Sequence, residues 1–201
     1  MALSGLHTNF GSSSYIAERD KRIKRAEGLS LTPYRDDLAK SIAIGYGLDL
    51  LVNSNAVING YLSAAYNLTG SGPQALSPED VALLNDARAR RNAGTANRVY
   101  LDNIISRLSI TLPSAPYATN LYNAVVANFE SQLDNAIGYC MADSWERVAL
   151  VSLVYNGGIG MIGPKLRSAI ANDNRAEAWF EIRYNSNGGN SRGIANRRYQ
   201  E

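Results

Sequence analysis

The sequence predicts a mostly helical α+β chain, a helical domain with a small β-hairpin or three-stranded sheet near its amino end. Three observations carry this. Over residues 29–49, Leu29, Leu31 and Tyr34 and then Ile42, Ile44 and Tyr46 recur at mostly two-residue steps. From Ser77 onward, apolar residues fall at helical spacing, most clearly Leu121, Val125, Phe129, Leu133 and Ile137. Internal repeats and long linkers are absent, so one domain of 15–201 is expected, with a flexible lead-in over 1–14.

Taken in order, Ile16, Ile23 and Ala26 among charges predict a first helix from Tyr15 to Glu27, stopped by Gly28. The β lobe covers about 29–50; Pro33 and the Asp36-Asp37 pair interrupt it, and Gly45 and Gly47 close it. So little apolar surface cannot stand alone and must lean on helices. The helical lobe spans about 77–201. Ser77-Pro78-Glu79-Asp80 is a helix start, with a capping serine, a proline suited to the first turn and acids at the positive end of the dipole. Val99, Ile104, Ile105 and Leu108 predict another helix, ended by Leu112-Pro113-Ser114. Asp143 with Glu146 outlines a capping box before a helix from Trp145 to Tyr155 that is apolar nearly all round, the expected buried centre. Asn156-Gly157-Gly158 ends it. Further starts are expected near Pro164 and at Asn174, a loop over Asn185 to Asn190, and a last short helix from Gly193 to Gln200.

Composition excludes several chemistries. The chain has 201 residues, 45% hydrophobic and 19% charged, with a net charge of +2, too weak to identify an anionic partner. Basic residues do cluster at Arg19–Arg25, Arg88–Arg98 and Arg192–Arg198, as solvated helix faces or as attraction for an acidic polymer. Nucleic acid is not expected as a partner. One cysteine, Cys140, precludes an internal disulfide and reads as a small core residue. With His7 the only histidine, a Cys/His zinc site is excluded and a Ser-His-Asp engine disfavoured; no metal or cofactor is expected. No apolar run reaches membrane-span length, so no membrane insertion is expected. The amino end lacks a charged segment followed by an apolar stretch, which predicts synthesis in the cytoplasm without a signal peptide.

The chemistry concentrates in Glu27-Gly28-Leu29-Ser30-Leu31-Thr32-Pro33-Tyr34-Arg35-Asp36. Glu27 stands where helix gives way to sheet, and Asp36 follows nine residues later in the first hairpin. A hairpin folding back over the helix end can set two carboxyls across a groove, as glycoside hydrolysis requires. One acid protonates the leaving oxygen; the other carboxylate activates water or attacks the sugar. A glutamate at a partly apolar helix end is expected to hold its proton more tightly. The competing reading is an ordinary exposed acid and a turn. Trp145 and Trp179 read as core, whereas Tyr34, Tyr46, Tyr155 and Tyr184 are candidate sugar-binding walls.

The stretch EGLSLTPYRD, followed by Ile44-Gly45-Tyr46-Gly47, resembles the phage-type lysozymes of glycoside hydrolase family 24. Ala149 to Gly158 resembles that family's buried central helix, and Gly193 to Arg198 its closing Gly-x-x-x-Arg-Arg helix. The three matches keep the family's order; residues 50–140 match poorly. The resemblance implies a lysozyme-like fold and the β-1,4 bond between N-acetylmuramic acid and N-acetylglucosamine of bacterial peptidoglycan as substrate. It casts Glu27 as general acid and Asp36 as the second carboxylate, with Tyr155, Asn156 and Arg192 near the groove. Two departures stand out. The family's catalytic threonine aligns with Ala43, and Ser41, on the same strand face, is the available hydroxyl. Gly45-Tyr46-Gly47-Leu48-Asp49 is similar to the muramidase domain of pesticin-type bacteriocins, which makes Asp49 a rival second carboxylate. By alternation Ser41, Ala43 and Asp49 share a face.

Two other functions stay open: a lytic transglycosylase, which works with one glutamate, and a non-catalytic wall-binding protein that keeps the fold. The implied setting is a monomer acting on the periplasmic wall after release or delivery, as a phage endolysin or an antibacterial toxin. The toxin case brings an immunity protein and delivery machinery as partners.

Overall fold

The computed structural model describes residues 11–67 and 74–185. Within them lie eight α-helices and one three-stranded sheet: α1 (Ser12–Glu27), β1 (Ser30–Asp36), β2 (Ser41–Gly45), β3 (Leu48–Asp49), α2 (Asn55–Asn67), α3 (Pro78–Asn92), α4 (Arg98–Arg107), α5 (Ala115–Ile137), α6 (Trp145–Gly157), α7 (Pro164–Ala171) and α8 (Arg175–Phe180). The mostly helical fold with a small sheet near the amino end is as expected. The last expected helix, the Asn-Gly loop after Asn185 and Arg192 lie outside the described residues.

The chain forms two compact units. One comprises residues 1–26 and 126–201, the other residues 27–125. In the 27–125 unit the sheet runs β1-β2-β3, all antiparallel. Its register is Tyr34 opposite Ala43 opposite Asp49, with Asp36 opposite Ser41. Between Ser30 and Tyr34 the pairing slips, because four steps along β1 match two along β2, from Gly45 to Ala43. Pro33 sits in this bulge, where a residue without an N–H costs no ladder bond. The bulged Leu31 carbonyl instead accepts the amide of Leu112 at 2.7 Å. Ile42 and Ile44, fully buried, point one side of β2 into the core. α2, α3, α4 and the first half of α5 complete this unit.

α2 was not foreseen. Its buried stripe of Ile58, Leu62, Ala65 and Tyr66 keeps helical spacing, but Gly60 and the flanking asparagines mask it. α3 begins as expected: the Ser77 hydroxyl accepts the Asp80 amide and Asp80 returns a bond to the Ser77 backbone, a closed capping box.

In the other unit, α1 begins three residues earlier than expected, at Ser12. Its end is as expected, with Gly28 in the left-handed region at φ 71°. α6 is the buried centre, with every residue but Ala149 from Arg147 to Tyr155 buried. Its cap is Ser144, which accepts the Arg147 amide, and not Asp143; Asp143 lies 4.0 Å from the Arg147 guanidinium instead. Cys140, expected in the core, is exposed, since Gly138 ends α5 and turns the chain outward. Trp145 and Trp179 are also corrected from core to surface, at 40% and 49% exposure. The Arg22 guanidinium covers the Trp145 ring at 5.1 Å, and Arg183 covers Trp179 at 5.0 Å.

Candidate active site

Glu27, Tyr34, Asp36, Ser41, Tyr46 and Asp49 all belong to the 27–125 unit. Glu27 is the last residue of α1 and is half-buried. Its carboxylate lies against the backbone of Gly47: a Cβ there would stand 2.9 Å from Glu27 Oε2. Gly47 also holds φ 89°, so both conformation and space demand glycine at this point of the β2–β3 turn.

The register puts Tyr34, Asp36, Ser41, Ala43 and Asp49 on one face of the sheet, as alternation predicts for the last three. Tyr34 reads out the charge on this face. Its phenol is pushed up to about 12, first by burial and then by the negative charges of Glu27, Asp36 and Asp49. Three carboxyls therefore act on one ring.

The two rival aspartates are built differently. Asp36 Oδ1 accepts the amides of Leu38 at 2.9 Å and Ala39 at 3.0 Å, which closes the β1–β2 turn. Asp37 is held by Arg35, whose guanidinium also reaches Asp102 on α4. Asp49 Oδ1 accepts three bonds: the Ser41 hydroxyl at 2.5 Å and the amides of Leu51 at 2.7 Å and Val52 at 2.9 Å. Ser41 is fully buried and its hydroxyl donates a hydrogen bond to Asp49. Its burial fits it to hold a carboxylate in place, not to carry a water itself.

The aromatic candidates separate. Tyr46 is half-buried with its ring edge-on to Tyr122, centroids 5.8 Å apart. Tyr155, Asn156 and Tyr184 belong to the other unit. Tyr155 is buried with its ring 5.3 Å from Phe129, Asn156 is exposed at the end of α6, and Tyr184 is exposed beside Trp179 and Phe180. That unit also carries a groove of about 750 Å³ lined by Tyr139, Trp145, Glu146, Arg175 and Trp179 among others, and none of the candidate catalytic residues lines it. Among the described residues no group of three His, Cys, Asp or Glu is disposed to hold a metal.

A helix-end glutamate beside a small sheet that bears two aspartates offers the carboxyl pairs that glycoside hydrolysis uses. The family model for phage lysozyme matches residues 94–201. The chain belongs to the phage lysozyme family, and its class is that of the muramidase-type peptidoglycan hydrolases. The match starts before α4 and so takes in much of the stretch that reads as divergent in the sequence; it does not reach Glu27 to Asp49. Neither the curated proteins nor the solved structures contain a match to the chain.

Proposed function

We propose that this chain hydrolyses the β-1,4 bond between N-acetylmuramic acid and N-acetylglucosamine, with Glu27 as general acid and Asp49 as the carboxylate that activates water. The observation that supports this is the seat of the Glu27 carboxylate on the Gly47 backbone, beside a sheet face that carries Tyr34, Asp36 and Asp49. Carboxyls that act together on one half-buried ring form the kind of cluster that marks functional sites.

In the reaction Glu27 gives its proton to the glycosidic oxygen as the bond to the muramic anomeric carbon breaks. Water adds to that carbon, its proton passes to Asp49, and the new reducing end carries the added oxygen. The choice of Asp49 over Asp36 is supported by position along β2. Glu27 rests on Gly47, two residues before Asp49, a chain path of roughly 7 Å. Asp36 pairs with Ser41 at the opposite end of the strand, about 13 Å of rise from Gly45. The Asp49 backbone is nearer the seat of Glu27, while its carboxylate reaches back to Ser41; as an inverting pair the two would need a gap that admits one water. Asp36 is then the residue that shapes the hairpin.

The test is release of reducing ends from purified sacculi. Glu27→Gln is expected to abolish it. Asp49→Asn is expected to lower it roughly a hundredfold or more, and Asp36→Asn less. If Asp36→Asn is the more damaging of the two, Asp36 takes the second role. Mass spectrometry of the soluble products separates hydrolysis, which adds water, from a transglycosylase outcome, which leaves an anhydro end.

A further inference from the structure

Arg88 stands in the middle basic cluster, where the sequence suggests a solvated helix face. The structure gives it a different task. After Asp49 the backbone leaves the sheet: Leu50 makes a last bond to Ile42 at 2.8 Å, and the chain turns through Leu51, Val52 and Asn53. Two of the three donors to Asp49 Oδ1 are amides of this turn. The carboxylate is therefore only as fixed as the turn itself.

Arg88 holds the turn at both ends. From α3, one terminal nitrogen, Nη2, donates to the carbonyls of Leu50 and Asn53, each at 2.8 Å. The other, Nη1, donates to Asn55 Oδ1 at 2.6 Å and Asn85 Oδ1 at 2.9 Å. Asn53 closes the loop by donating to the Asp49 carbonyl at 2.8 Å. A planar guanidinium can bridge two carbonyls and two amide oxygens at once; an ammonium cannot. The charge is also felt at Asp49. Burial lowers the Arg88 pKa, and the Asp49 charge acts against that.

We propose that Arg88 is a positioning residue for Asp49, clamping the 50–53 turn so that its amides keep the carboxylate aimed. The proposal rests on the assignment of Asp49 to water activation. The groups seen to interact with Asp49 include Tyr34 of β1, on which Glu27 and Asp36 also act, and Arg88 of α3; Arg91 of α3 bonds the Ala39 carbonyl of the hairpin loop at 3.3 Å. Removing Arg88 takes away both the fork that holds the turn and a cation that interacts with Asp49.

The experiment follows the Asp49 carboxyl carbon by NMR titration, and kcat and KM against pH, in the full chain and in Arg88→Ala and Arg88→Lys. In Arg88→Ala the Asp49 carboxyl resonance is expected to depart from that of the parent, as the turn that supplies its amide donors loosens. The acid limb of kcat should move as well, and kcat should fall roughly ten- to a hundredfold with KM little changed. Arg88→Lys keeps the charge and loses the fork, so its kcat should fall while its acid limb moves less. If Arg88→Ala does not fold, the lysine variant decides: an unchanged kcat overturns the proposal. A folded alanine variant whose Asp49 titration and acid limb coincide with those of the parent also overturns it, whatever its melting temperature. Full activity in Asp49→Asn would instead refute the catalytic assignment, and the Asp49 titration in the Arg88 variants would still decide the clamp.

Discussion

Tyr15 and Tyr34 each place a phenol beside carboxylates, one in each compact unit, and the difference separates a structural network from a site. At Tyr15 the hydroxyl donates to Glu130, which also accepts Arg19 at 2.9 Å, and Arg147 grips Asp134 with two bonds at 2.6 and 2.9 Å. Burial and Glu130 raise the phenol pKa, and the guanidinium groups of Arg147 and Arg19 oppose them. Every carboxylate of that network has a cation at hand. At Tyr34 burial, Glu27, Asp36 and Asp49 all push in one direction. The first arrangement neutralises its charges in pairs and holds α1, α5 and α6 together. The second brings three carboxyls to act on one ring, the kind of cluster found at functional sites.

The largest effect expected from this contrast is in Glu27→Gln. Activity on sacculi should fall by about a thousandfold or more, within reach of what a general acid contributes. Stability should change far less than activity, by about 1 kcal/mol or less. Calorimetry beside the sacculus assay checks both. A variant that loses activity only because it melts would make the Tyr34 cluster structural and erase the contrast.

Arg147→Met should do the reverse. Both oxygens of Asp134 lose their partner in a setting where the arginine side chain is 7% exposed. Breaking one side of a buried pair costs about 3–5 kcal/mol. Urea unfolding should show that loss, while activity per folded molecule stays near the parent value. A large drop in kcat without loss of stability would mean that the unit of the paired charges also serves the chemistry.

Gly47→Ala sharpens the contrast inside the 27–125 unit. The added carbon would meet Glu27 Oε2 at 2.9 Å, and φ 89° is strained for any side chain. The backbone strain costs about 1–2 kcal/mol. Because the atom displaced is the proposed proton donor, activity should fall by more than that stability loss accounts for. An alanine variant with full activity would show that the Glu27 carboxylate does not work from its place on the turn.

Local signals carried the fold in the sequence. Gly28, Ser77-Pro78 and Asn174 act within one helical turn of themselves, and each does what it predicts. The alternation through Ser41, Ala43 and Asp49 is likewise a property of a single strand and its neighbours. What stayed hidden depends on distant partners. Trp145 and Trp179 sit on apolar stripes, but a stripe does not say how far its edge is covered. Asp143 and Ser144 can both cap, and the choice falls to where Arg147 packs. Of the site, Glu27 and the two aspartates were legible as a motif. That Asp36 closes a turn, that Ser41 holds Asp49, and that Arg88 grips the turn from 35 or more residues away were not, because each is a contact made by the folded chain.

The smallest effect concerns acid. Asp80, buried at the start of α3, accepts the Ser109 amide at 2.8 Å, the Ser109 hydroxyl at 2.6 Å and the Ser77 hydroxyl at 2.8 Å. Burial alone would raise its pKa, but these bonds outweigh burial and hold it below the ordinary 3.8. A carboxyl whose folded pKa is depressed contributes stability above its unfolded pKa and loses it as pH falls through the folded value. Asp134 behaves alike: burial raises it, and the hydrogen bond and charge of Arg147 more than offset this. The parent should therefore be flat in stability near pH 6 and weaken below about pH 4. Asp80→Asn should be less stable near pH 6, by about 1 kcal/mol, and the gap should close toward pH 2 as the parent's aspartate takes up its proton. Urea melts at pH 6, 4 and 2 measure it. A gap independent of pH would mean that the bonds to Ser77 and Ser109 do not depend on the charge of Asp80, and that this aspartate could be neutral at no cost to the fold.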